Sequence, residues 1–138
     1  MGFLGCHKEE CCNPACLKMI RQAAELVRDW AIENYGDGYL LKGACVESSE
    51  RMVKILHLLG CEKADSIDGY VKVDIYDDEK EIYEPHVWVE IPCGDEILYV
   101  DATADQFNYE MYDEHAFAPV ILCAGYPYGV TRTKPDGM

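Results

Sequence analysis

Two helical patterns followed by alternating strand patterns predict an α+β fold, with helices packed on an antiparallel β-sheet of about four strands. Apolar residues recur at three- and four-residue steps between Asn13 and Tyr35, and again from Cys45 to Leu59. From Ile67 the period changes to two. Between Glu84 and Thr103, two alternating runs flank a Pro-Cys-Gly-Asp patch, the signature of an antiparallel hairpin.

The chain has 138 residues, which suits one domain, 1–138, with a modest core. Hydrophobic residues make up 49% and charged residues 28%. The formal net charge is −14, so nucleic acid and anionic membrane surfaces are excluded as partners, since both require a basic face. No apolar run is long enough to span a bilayer. The first ten residues have neither a basic n-region nor a long apolar h-region, so they do not read as a secretory signal. Gly2 begins a partial myristoylation pattern, but Cys6 stands where Ser or Thr is wanted. The expectation is a cytoplasmic protein whose eight cysteines are mostly reduced thiols.

Residues 1–12 form a Cys-rich tail containing Cys6, His7, Cys11 and Cys12, with Cys16 just beyond. Thiolates and imidazole suit zinc, but the segment has no Cys-x-x-Cys pair and nothing downstream supplies a second ligand pair. No metal and no cofactor are therefore assigned. Removing residues 1–12 is expected to leave the fold intact. Stoichiometric zinc in the full chain, lost together with thermal stability on truncation, would contradict this.

The first helix is expected over 13–35. Asn13 is a good N-cap, Pro14 fits the first helical position, and Gly36-Asp37-Gly38 stops the helix. Leu17, Ile20, Ala24, Val27 and Ala31 share its apolar face, while Arg21, Glu25, Arg28 and Asp29 lie away from it. Residues 36–44 read as a Gly-containing loop. A second helix is expected over 45–60, with Cys45, Ser49, Met52, Leu56 and Leu59 on one face. The antiparallel sheet and its loops are expected over 67–123. Within that range 67–76 is a strand, 77–81 a charged turn, 104–116 a loop with a short helix, and 119–123 a further strand. The tail from Tyr126 reads as loosely held.

Cys45 begins a helix, where unpaired N–H groups and a partial positive charge stabilise a thiolate and can bind an oxyanion. Gly43, two residues earlier, keeps the approach open. Free cysteine usually behaves as a small buried hydrophobe. Cys61, Cys93 and Cys123 have no comparable helix-start position. His86 and Asp101 stand near the outer ends of the hairpin, so pairing brings an imidazole beside a carboxylate, the base and orienter of a triad. With the turn centred between Cys93 and Gly94, His86 falls opposite Asp101, Trp88 opposite Tyr99 and Glu90 opposite Ile97. Val87 then meets Val100 and Val89 meets Leu98. The Cys45 sulfur is expected within about 4 Å of the other imidazole nitrogen.

A helix-start Cys45, then His86-x-Trp88-Val89-Glu90 on one strand, then Asp101-x-Thr103 on the next, resembles the transglutaminase-like superfamily of papain-like cysteine enzymes. Gly43-x-Cys45 and the Gly69-Tyr70 strand join the match, which covers roughly residues 39–107. Val46 and Ala44 stand where many relatives carry a Trp beside the nucleophile. The resemblance implies a papain-like/transglutaminase-like core, with Cys45 as nucleophile, His86 as general base and acid, and Asp101 as orienter. Gly43, Ala44, Trp88 and Gln106 are expected at the substrate cleft. The implied chemistry is acyl transfer from a protein, peptide or small amide substrate through a thioester, ending on water or on an amine. The alternatives are a catalytically silent binding module with the same fold, or a metal- or redox-binding protein using the N-terminal thiols.

Overall fold

The computed structural model describes residues 14–73, 82–93, 96–110, 121–123 and 130–132. The tail cluster of Cys6, His7, Cys11 and Cys12, the side chain of Cys16, and the charged turn at 77–81 lie outside the described residues.

The first helix, α1, runs Pro14–Tyr35, and Gly36 at φ 112° ends it in a conformation that favours glycine. Leu17, Ile20, Ala24, Val27 and Ala31 are all buried, as their spacing predicts. The segment expected to be a loop is instead a 3-10 helix, Gly38–Gly43. Its winding buries Leu41 against Ala31 and Ala44, with Trp30, Ile32 and Tyr35 packed around them. This small cluster anchors the start of α2, Cys45–Leu58. Met52 and Leu56 are buried on α2, but Leu59 falls beyond the helix and is partly exposed.

The sheet has five strands, one more than expected. They are β1 (Asp65–Val73), β2 (Ile82–Cys93), β3 (Glu96–Asp101), β4 (Ile121–Cys123) and β5 (Val130–Thr131). The order is β4-β3-β2-β1-β5, and every neighbouring pair is antiparallel. The tail is therefore not uniformly loose, because Val130 and Thr131 pair with Val71 and Tyr70 on the outer edge of β1. A two-residue strand is too short to leave a period in the sequence.

Both helices pack on this antiparallel sheet, so the fold class is α+β. Leu17, Ile20 and Val27 of α1 and Met52 and Leu56 of α2 meet Val89, Ile91, Leu98 and Val100 of β2 and β3. Each large aliphatic side chain buried here contributes about 1.5–3 kcal/mol. Alternation along β2 leaves His86, Trp88 and Glu90 at the other set of positions.

The hairpin register differs from the expected one by two residues. Val89 pairs with Val100, Glu90 with Tyr99, Ile91 with Leu98 and Cys93 with Glu96. The last pair, Cys93 with Glu96, centres the hairpin one position later than the expected Cys93-Gly94. A slip of two preserves every side chain's face, whereas a slip of one would invert them all.

Gly69 of β1 sits across from His86, and the Trp88 ring lies over it. A Cβ at this position would stand 2.3 Å from the Trp88 ring and 2.6 Å from the Thr131 carbonyl oxygen. The second neighbour is backbone and cannot rotate away. Gly69→Ala is expected to destabilise the fold by about 1–3 kcal/mol, read as a lower urea midpoint. An unchanged midpoint would mean that β5 does not hold Trp88 against β1.

Candidate active site

His86 is 2% exposed and Asp101 is 3% exposed. His86 Nε2–H donates to Asp101 Oδ2 at 2.7 Å. Carried one step past its last pair, the observed register sets Trp88 across from Asp101, so His86 reaches the carboxylate diagonally. The expected pairing in direct opposition is corrected, while the shared face and the hydrogen bond are as expected.

Asp101 is itself held in place. Its Oδ1 accepts the Thr103 backbone N–H at 3.0 Å and the Thr103 hydroxyl at 3.5 Å. Gln106 Nε2 donates to the Thr103 carbonyl at 2.8 Å and to its hydroxyl at 2.9 Å. Arg28 reaches over from α1. It donates to both carboxylate oxygens of Asp105, at 2.8 and 2.7 Å, and to the Ala102 carbonyl at 3.2 Å. Phe107 presents its ring edge-on to His86, with centroids 4.9 Å apart. The run Asp101-Ala-Thr-Ala-Asp-Gln-Phe107 therefore supplies the carboxylate bonded to His86, the turn that fixes it, an anchor to α1, and a ring that packs against the imidazole.

The His86-x-Trp88-x-Glu90 pattern has a similar local logic, since alternate residues share a face. Trp88 Nε1–H donates to Glu90 Oε2 at 2.9 Å, and Arg132, just past β5, pairs with Glu90 Oε1. Trp88 is buried beside His86, with ring centroids 6.1 Å apart. It supports the imidazole rather than facing solvent.

Cys45 is partly exposed, is a free thiol, and opens α2. Ala44 precedes it and supplies no side-chain cap, so no side chain at that position competes for the first-turn N–H groups. Ser49, one turn further on, donates its hydroxyl to the Val87 carbonyl at 3.2 Å and ties α2 to the strand that carries His86. Cys45 and His86 line one cavity of about 450 Å³ together with Lys42, Val46, Tyr70 and Pro85.

Burial opposes charge on His86, but the negative charge of Asp101, its hydrogen bond, and then the interaction with Cys45 outweigh it. The balance pushes the His86 pKa up to about 9. Nδ1, the nitrogen not engaged by Asp101, is buried and has no hydrogen-bond partner among the described residues.

Cys45, His86 and Asp101 are thus brought together by α2, β2 and β3. The residues expected at the cleft are placed differently. Ala44 is fully buried with Leu41, and Gln106 is buried under Thr103. Trp88 is also interior, and Gly43, though exposed, is not among the residues lining the cavity. The cavity wall comes instead from Lys42, Val46, Asp68, Tyr70, Pro85 and Arg132. Arg28 and Asp105, 77 positions apart, have no local pattern that would pair them in the sequence. Arg132 follows a two-residue strand and carries no signal either.

No family model, curated protein or solved structure matches the chain. Among the described residues no group of three His, Cys, Asp or Glu side chains could hold a metal ion, and no helix is long and apolar enough to cross a membrane.

Proposed function

We propose that this chain is a cysteine-dependent acyl-transfer enzyme of transglutaminase-like type, acting on an amide through a thioester on Cys45. The observation that carries the proposal is the buried His86–Asp101 pair, bonded at 2.7 Å, with Cys45 on the same cavity wall. A structural histidine on a strand needs neither an oriented carboxylate nor a helix-start thiol beside it.

The chemistry follows from the groups present. The Cys45 thiolate attacks the amide carbon, an S–C bond forms, and the carbonyl electron pair moves onto oxygen. First-turn N–H groups of α2 stabilise that oxyanion. The C–N bond then breaks as His86 passes its Nδ1 proton to the departing amine. Water or a second amine attacks the thioester and gives a proton to His86, and the C–S bond breaks to restore the thiolate. Asp101 keeps Nε2 occupied throughout, so that Nδ1 remains the nitrogen that exchanges protons. Hydrolysis is the leading outcome and transfer to an amine the second.

Acid quenching shortly after mixing with p-nitrophenyl acetate tests this directly. The intact chain should carry one acetyl group, mapped to Cys45 and absent from Cys45→Ala. Adding glycinamide should then divide the product between acetate and the acetylated amine, in the ratio of the two outcomes. Acetylation spread evenly over several cysteines, or unchanged in Cys45→Ala, would favour a silent binding module.

A further inference from the structure

The same cavity carries a feature that the acyl chemistry does not use. Two cations on its wall are matched: Lys42 pairs with Glu84 at 3.2 Å, and Arg132 pairs with Glu90. Asp68 also lines the cavity. It is exposed, and among the described residues none makes an ion pair or hydrogen bond with its carboxylate. Among the described residues Asp68 is thus the carboxylate on the cavity wall that has no cation beside it. Val46, Tyr70 and Pro85 surround the same space and offer apolar surface. An aliphatic stem ending in a cation, as in lysine, suits that combination, because the stem can lie on the apolar wall while the head meets the carboxylate. A carboxylate-bearing side chain would meet Asp68 as a like charge. The net charge of −14 draws cations toward the molecule as a whole.

Building on the cysteine-dependent reading above, we propose that Asp68 is a specificity residue selecting amide substrates whose amine side carries a lysine-like cation next to the reacting carbonyl. The site then prefers basic peptides over neutral or acidic ones. The contact is at the surface, so its effect is local and modest, roughly three- to fivefold, and shrinks as salt is added.

The test uses chloroacetyl-lysine amide, chloroacetyl-norleucine amide and chloroacetyl-glutamate amide. In each, the cysteine sulfur displaces chloride from carbon, so turnover is not needed. The second-order labelling rate at Cys45 should favour lysine over norleucine by about three- to fivefold, and norleucine over glutamate. Asp68→Asn should abolish the lysine preference, and Asp68→Lys should reverse the order in favour of glutamate. Glu62→Gln removes the same charge from an exposed position that does not line the cavity, and should keep the preference. Equal labelling of Cys45 by lysine and norleucine reagents in the unaltered chain would overturn this inference and leave the nucleophile assignment intact. Survival of the preference in Asp68→Asn would do the same. Labelling that bypasses Cys45 would overturn both.

Discussion

His86→Gln is expected to slow acylation of Cys45 by about a hundred- to ten-thousandfold, the usual contribution of a positioned general acid–base group. The fold should survive. Glutamine fills a similar volume, and its amide N–H can still donate to Asp101 Oδ2, so the buried carboxylate keeps a partner. What it lacks is a nitrogen that titrates. His86→Ala removes the partner as well and leaves a buried charge uncompensated, which costs about 3–5 kcal/mol. The two variants together therefore separate chemistry from folding. Burst rates with p-nitrophenyl acetate, measured beside thermal melts, should show His86→Gln slow and folded, and His86→Ala slow and destabilised. A burst in His86→Gln within about twofold of the unaltered chain would mean that His86 is structural, since general acid–base catalysis contributes far more.

A second large effect is on stability against pH. Burial disfavours the charged imidazole, but Asp101 and Cys45 together raise the His86 pKa to about 9 in the folded chain, against about 6.5 when unfolded. The folded state thus holds a proton that the unfolded state has released across that interval. Its stabilising contribution is fully present below about pH 6.5 and is lost as pH rises through about 9, with a total on the order of a few kcal/mol. Urea midpoints taken from pH 6 to pH 10 should fall accordingly. Asp101→Asn removes the charge that holds the proton, so its midpoint should fall much less over the same window. Comparing the two chains cancels the lysines and tyrosines that titrate nearby in pH. Parallel slopes in the two would show that the pair does not share a proton in the way described.

How much of this was legible in the sequence depends on whether the signal is local. Helix α1, the start of α2 at Cys45 and the hairpin strands follow from periodicity and from Asn13, Pro14 and Gly36. The dyad was legible because His86 and Asp101 depend only on face, and a two-residue register change keeps the face. The register itself is the weaker expectation, because turn-forming residues adjoin in the Cys93-Gly94-Asp95 patch and a shift of the centre by one position moves every pair by two. The resemblance implies Gln106 and Ala44 as cleft residues. Burial turned both into supports, one beneath Thr103 and one against Leu41. Asp68 and Arg132 come together at the cavity through the β1–β5 pairing, which is two residues long, and Lys42 joins them from the 3-10 helix before α2. The clamp from Arg28 to Asp105 is likewise tertiary, joining a helix face read as solvent-facing to a turn far along the chain.

The central claim is that Cys45 is the activated thiol, with His86 as its partner and Asp101 behind it. Eight cysteines make this a competition that can be read out in one digest. The folded chain is treated briefly at pH 6 with substoichiometric iodoacetamide, and the labelled cysteine is mapped by mass. The label is expected mainly on Cys45, and His86→Gln is expected to remove this preference. Label falling mainly on Cys6 or Cys11 would contradict it.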